Sequence, residues 1–361
     1  MDMRLPRLSR PLAAGLALIA LPAVLIQAAA QLLPCDLADK ACAIRVLQGH
    51  VVTKREFWIA ALARPARERI GAAPPALLEY VRLDNIHGEL ANQPRQATLA
   101  PGFMRDVRHA FDELPPRVKA LLDQRLAGIY FVDDLGGTGY TDVVYDADGK
   151  PVAGFVVLDA AVLARRTANA WATWKENSPF LPAAGMRLEA GIETRRHDNR
   201  KNAIQYILLH ELGHVVSIGR DLHPPWGMPA AEVPTTASYP FFSLSWSVAR
   251  GENRYVTRFD QAFAQRRDIV YYFGAKLAGD QMAEVYARLA ETNFVTLYGS
   301  TNPSDDFAEA FASYVHTVLM RKPFFIAIHR DGKRVAKFGA CWNQPRCAEK
   351  RNIILQLIGA K

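Results

Sequence analysis

Two histidines and a glutamate stand in the pattern H-E-x-x-H at His210-Glu211-Leu212-Gly213-His214. On an α-helix, positions i and i+4 share one face, a turn apart, so the two imidazoles can converge on one ion. Glu211, one residue on, points about 100° around the helix, toward the open side of that ion. Neutral imidazole suits Zn²⁺, and two histidines plus one carboxylate leave a fourth position for water. Zinc lowers the pKa of such a water, and the glutamate takes its proton. The surroundings favour this chemistry over a chance match. Ile204, Ile207, Leu208, Leu209, Leu212, Val215, Val216 and Ile218 make the segment apolar nearly all round, so it reads as a buried helix. Burying two histidines and a glutamate without partners is costly, and a metal is the economical partner.

A third ligand is needed. A metzincin would continue with Gly and His where this chain has Ser217 and Arg220, so that class fails. His223, just before Pro224-Pro225, fits no ligand pattern. The better candidates lie in Asn302-Pro303-Ser304-Asp305-Asp306-Phe307-Ala308-Glu309-Ala310-Phe311. Asn302 suits an N-cap, Pro303 the first helical position, and Asp305 the carboxylate position of a capping box. Asp305 and Asp306 are therefore most simply helix-start residues, favoured by the helix dipole. Glu309 lies further into the helix among Phe307, Ala308, Ala310 and Phe311, and a carboxylate in such company wants a cation. Glu309 is the expected third zinc ligand. The competing readings are that Asp305 or Asp306 takes that role, or that Glu309 pairs with a buried Arg.

The motif helix followed by Phe307-Ala308-Glu309-Ala310-Phe311 resembles the gluzincin-type zinc metallopeptidases. The second phrase is similar to the third-ligand helix of the anthrax lethal factor catalytic domain and of related bacterial zinc peptidases. The resemblance covers roughly residues 128–320 and rests on short motifs. It implies that His210, His214 and Glu309 bind zinc and that Glu211 is the general base. The thermolysin-type supporting carboxylate, four residues after the ligand Glu, is replaced here by Ser313. Members of that class often use a Tyr or His to hydrogen-bond the oxyanion. Tyr298, just before the capped helix, is the expected donor, with Tyr314 and His316 as the other candidates.

These side chains need elements to hold them. From about residue 42 to 127 the pattern is helical, with segments at Arg55–Arg69, Pro75–Leu83, Phe103–Leu114 and Pro116–Leu126. At Gly128 it turns β-rich. Ile129–Val132, Tyr140–Tyr145 and Ala153–Leu158 read as three strands of an antiparallel meander, split by Gly136-Gly137 and Asp146–Gly149. These fit the zincin plan, with Ala153–Leu158 expected to run beside the cleft and bind an extended peptide by strand addition. Residues 160–175 read as helix and 176–191 as loop. The motif helix is expected over Asn202–Ile218, capped by Asp198 or Asn199, with Gly219 just past its end. Residues 219–248, rich in Pro and aromatics, form a long connection whose aromatics suit packing or a cleft wall. Further helix is expected at about 258–277, 280–291 and 303–320.

The chain's 361 residues allow one large domain or two modest ones with an ample core. Half are hydrophobic and 22% charged, ordinary globular usage that excludes wholesale disorder. The formal charge of +8 is spread along the chain, which suits an anionic surface or acidic partner and is no nucleic-acid footprint. Residues 1–30 read as a signal peptide. Arg4, Arg7 and Arg10 precede an uncharged run from Pro11 to Ile26, and Ala28-Ala29-Ala30 suits cleavage before Gln31. An uncleaved signal anchor is the rival reading. Pro34 before Cys35 argues against a lipoprotein. Cys35 with Cys42, and Cys341 with Cys347, are simplest as two local disulfides, which fits an oxidising compartment.

The sequence thus reads as an α+β zincin with a small antiparallel or mixed sheet, exported to the periplasm or secreted, with no membrane insertion after cleavage. Residues 31–127 form a helical N-terminal portion and 128–361 the catalytic domain. The expected cofactor is Zn²⁺ and the expected partner a protein or peptide substrate. Two other readings stay open: a non-enzymatic zinc-containing envelope binding protein, and a zinc amidase acting on cell-wall peptides. The first is weakened because a structural zinc takes four protein ligands and only three stand out.

Overall fold

The computed structural model describes residues 35–359 apart from Leu37, so the segment read as a signal peptide lies outside the described residues. The fold is mixed α and β, with small sheets. The first sheet joins β1 (Ile70–Ala72), β2 (Arg95–Gln96), β3 (Leu126–Asp133), β4 (Gly139–Tyr145) and β5 (Pro151–Asp159). Its order is β1-β3-β5-β4, with β2 also on β3.

The expected meander would put β3 beside β4. Instead β5 lies between them, parallel to β3 and antiparallel to β4. The residues explain this. Ala153–Leu158 is apolar throughout, which suits a strand covered on both faces. Phe155 and Val157 join one hydrophobic cluster and Val156 and Leu158 the other. β4 carries Thr141 and Asp142 and is only half-buried, as an edge strand can be. The strand that borders the motif helix at the sheet edge is therefore β4, where β5 was expected.

On one face of the sheet lie α1 (Lys40–Gly49), α2 (Arg55–Leu62) and α3 (Pro75–His87). Their Trp58, Leu77 and Tyr80 cluster with Phe155 and Val157. On the other face α4 (Pro101–Asp112) and α5 (Pro116–Arg125) bring Val107, Phe111, Val118 and Leu122 to Val156 and Leu158. β3 runs across the boundary expected at residue 127, so the N-terminal helices and the strands after them share one sheet. The chain from Cys35 onward forms one unit.

After β5 come α6 (Ala160–Ala164) and α7 (Ala168–Asn177), then β6 (Met186–Gly191) inside a stretch expected to be loop. The motif helix is α8 (Arg200–Ser217), where the Asn199 side chain caps the Asn202 N–H at 3.0 Å. β7 (Trp246–Ala249) and β8 (Arg254–Thr257) form a short ribbon. Residues 258–277, expected as helix, hold only a 3₁₀ turn, Ala264–Asp268. Tertiary contacts override the pattern there: Arg266 binds Asp260 and the Ser300 carbonyl. Next come α9 (Met282–Ala290) and α10 (Pro303–Tyr314), the latter running into a π turn over Val315–Leu319. β9 (Phe325–Arg330) and β10 (Lys333–Gly339) complete an antiparallel sheet in the order β10-β9-β6, and α11 (Ala348–Leu357) closes the chain.

Two features fix the site's frame. A Cβ built on Gly213 would lie 2.9 Å from the Ala308 Cα, so α8 and α10 meet backbone to backbone and a larger residue at 213 cannot fit unmoved. Disulfides link Cys35 to Cys42 and Cys341 to Cys347, the local pairing the spacing suggested. Among the described residues no helix is long and apolar enough to cross a membrane.

Candidate metal centre

α8 presents His210 and His214 on one face, with their Nε2 atoms 3.3 Å apart and their rings nearly perpendicular. The first turn of α10 brings up Asp305. Its Oδ1 lies 3.5 Å from His210 Nε2 and 3.3 Å from His214 Nε2. A tetrahedral zinc with ligands at about 2.0–2.1 Å sets its donors about 3.3–3.4 Å apart. Two imidazoles and one carboxylate at these separations fit such an ion. They are the residues among those described that could hold a metal.

The capping residue aims Asp305. Asn302 Oδ1 accepts from the Asp305 N–H at 2.9 Å, and the Asn302 amide donates to Asp305 Oδ2, leaving Oδ1 to face the histidines. The carboxylate that the sequence assigned to the helix start thus does two jobs at once.

Glu309, the expected third ligand, lies one turn further along α10 and behind His210. Its Oε1 is 3.0 Å from His210 Nδ1 and 2.8 Å from Lys175 Nζ. It does not join the group formed by the two Nε2 atoms and Asp305. The sequence reading was right that this carboxylate wants a cation. The cation is Lys175 of α7, and the acid that stands with the two histidines is the one four residues earlier on the same helix face. A carboxylate on the far nitrogen of a ligand histidine fixes its ring and tautomer. Asp306 points elsewhere: Lys350 Nζ lies 2.5 Å and 2.7 Å from its two oxygens, and Trp246 Nε1 donates to it at 3.0 Å.

The buried ionisable groups at the site shift one another. Burial works against a charged His210, yet Asp305 and Glu309 outweigh it and hold this imidazole at about 10. Burial would raise both carboxylates. The two histidines instead hold Asp305 far below the usual range, and Lys175 followed by His210 brings Glu309 to about 2. Lys175 also lies 3.8 Å from Glu176, which accepts hydrogen bonds from Tyr271 and Tyr286.

Glu211 is buried beside the group. Its Oε2 accepts from Thr141 Oγ1 of the edge strand β4 at 2.8 Å. Tyr298 sits on the 3₁₀ turn before α10, with its ring 5.5 Å from that of His210 and Lys175 Nζ 4.7 Å from its centroid. Burial, with Asp305 next, pushes its phenol well above the usual value, so it stays protonated. The other two oxyanion candidates lie apart. Tyr314 packs edge-on against Trp342. His316 Nε2 lies 2.9 Å from the Ile192 carbonyl and 3.1 Å from that of Pro323, and burial lowers this imidazole to about 4. His223 is engaged by Ser217 Oγ and the Pro224 carbonyl. From the aromatic connection, Trp226 reaches His214 edge-on at 5.3 Å, while Phe241, Phe242 and Trp246 are core.

Sequence reasoning did not single out Thr141, Lys175 or Trp226. Thr141 alone had a signal, as a polar residue beside Asp142 in the edge strand. No protein family matches this chain, and neither does any curated protein or solved structure.

Proposed function

We propose that this chain is an exported zinc metallopeptidase of zincin type whose metal ligands are His210, His214 and Asp305. The observation that carries the reading is the set of three donor atoms at tetrahedral separations with Glu211 beside it. The Asp305 assignment departs from the gluzincin pattern by one helical turn, with Glu309 as the residue that orients His210. A zinc bound there would supply Lewis acidity, acidifying a water and polarising a carbonyl oxygen.

The chain's own residues do the rest. Thr141 holds Glu211 Oε2, so the carboxylate keeps one orientation. Glu211 accepts the proton of the attacking water and delivers it to the leaving amine nitrogen. The protonated Tyr298 hydroxyl donates to the carbonyl oxygen as charge develops on it. Lys175 and Glu309 lock the His210 ring, and the helix contact at Gly213 keeps the two ligand-bearing elements in register. β4 is an edge strand apart from a bridge between Tyr145 and Lys54, so its backbone can pair with an extended peptide. Both disulfides favour an oxidising compartment.

The test is metal content by plasma mass spectrometry, paired with hydrolysis of casein and short peptides. About one zinc per wild-type chain is expected, lost in a folded Asp305→Ala variant. Glu211→Ala should keep its zinc and lose hydrolysis. No zinc after reconstitution would overturn the metal centre, and turnover by Glu211→Ala would overturn the mechanism.

A further inference from the structure

The edge strand β4 passes the site at Thr141, and the turn that leads into it, Gly136 to Thr138, borders a surface cleft of about 720 Å³. The floor of that cleft is continuous with the centre. Tyr298 lies against His210, Tyr272 is 6.3 Å from Tyr298, and Trp174 stacks on Tyr272 at 5.3 Å. The Arg166 guanidinium lies 4.3 Å from the Trp174 ring centroid. An aromatic shelf thus leads from the metal-facing histidine out to an arginine.

Three features set this shelf apart from ordinary surface. Tyr272 has φ +68°, a left-handed conformation that an aromatic residue rarely adopts and that the surrounding packing must enforce. The next residue, Phe273, is 73% exposed, a cost in water that burial against a ligand would relieve. The charge there is not neutralised. Asp134 is taken by Asn92, the Gln93 N–H and Arg95, and Asp159 accepts from the Leu135 and Val162 N–H groups. Among the described residues, Arg165 and Arg166 have no carboxylate within ion-pair distance; Arg165 is exposed and Arg166 half-buried on the tryptophan.

We propose that this shelf is the specificity surface of the cleft, and that it selects polypeptide substrates with acidic side chains flanking the scissile bond. The inference rests on the peptidase reading of the metal centre. A peptide paired with β4 continues past Thr138 onto the shelf. Its apolar stems cover Phe273 and Tyr272, and its carboxylates reach Arg165 and Arg166. Guanidinium suits this role because it can stack on an aromatic face and still present its donors to a carboxylate.

The experiment reads binding without turnover. Zinc-loaded Glu211→Ala is titrated into three fluorescein-labelled decapeptides that differ only in carrying two Glu, two Gln or two Lys, and anisotropy is recorded. The Glu peptide should bind about five- to tenfold more tightly than the Gln peptide, as expected for two exposed charge contacts. That advantage should shrink with added salt. Arg165→Gln with Arg166→Gln in the same background should bring the Glu peptide to the Gln level, and zinc content will report that this variant is folded. Equal binding of the Glu and Lys peptides, or a Glu preference that survives the double substitution, overturns the proposal. Hydrolysis by the wild type is measured in parallel. Acid-selective binding without hydrolysis of any peptide would sink the peptidase reading and leave the shelf standing. Cleavage indifferent to charge would sink the shelf and leave the peptidase.

Discussion

Asp305 and Asp306 are neighbours in sequence and opposites in circumstance. Asp306 is fully buried, with Lys350 on both oxygens and Trp246 on one. Its side of α10 continues to Ser313, whose hydroxyl accepts from Trp342 Nε1 at 3.0 Å. On the other side, Asp305 faces two imidazoles. There the His214 Nδ1 and Glu309 Oε2 lie buried with no hydrogen-bond partner, while His210 Nδ1 faces Glu309 Oε1. One side of the helix is a closed polar network of the kind that specifies a core. The other gathers ligand atoms with hydrogen-bonding capacity left over, and such groups call for an outside partner. Around the first turns of α10, completeness of pairing, more than burial, marks the difference between the two sides.

Four measurements can break or sharpen that contrast. The largest effect is expected on the closed side. Lys350→Met strands the Asp306 carboxylate, and urea unfolding should register a loss of about 3–5 kcal/mol. An unchanged midpoint would show that the pair is not structural.

Acid comes next. His316 is lowered to about 4 by burial, so below its ordinary value the unfolded chain takes up a proton that the folded chain refuses. Its contribution to stability is complete above about pH 6.5 and declines as pH falls toward 4, by up to about 3 kcal/mol. His316→Gln should flatten that slope in unfolding curves recorded between pH 7.5 and 4.5. A slope equal to the wild type's would assign the acid sensitivity to other groups.

On the open side, Glu309→Gln leaves the three proposed ligands in place and loosens the His210 ring. Chelator competition should show zinc held about 10–100-fold more weakly. If Asp305→Ala retained more zinc than Glu309→Gln, the roles assigned to the two acids would have to be exchanged.

The smallest expected effect tests the frame common to both sides. Gly213→Ala forces α8 from α10 and should cost about 1–3 kcal/mol in unfolding while also weakening zinc. An effect on stability alone would mean that the site tolerates the shift.

Much of this was legible in the sequence, and what was missed has identifiable causes. The H-E-x-x-H helix could be read because its periodicity, cap and chemistry all lie within one segment. Glu309 was expected to face the metal because of its apolar neighbours, whereas the acid that stands with the two histidines is Asp305, one turn earlier on the same helix face. Only the position of Lys175, distant in sequence, decides between them. The central place of β5 was written in its unbroken apolar run but was overruled by the assumption that successive strands pair. The β9–β10 hairpin went unread although Asp331-Gly332 signals its turn. Both residues take positive φ, the geometry a tight hairpin turn demands. The loop that carries Tyr272 had no such signal, since long-range packing sets its backbone.

The close approach at Gly213 has a kinetic consequence. The proposed ligands come from two helices far apart in the chain, so the full set forms only once those helices have docked. Capture of a metal by all three would therefore be a late step of folding and would stabilise the finished form most.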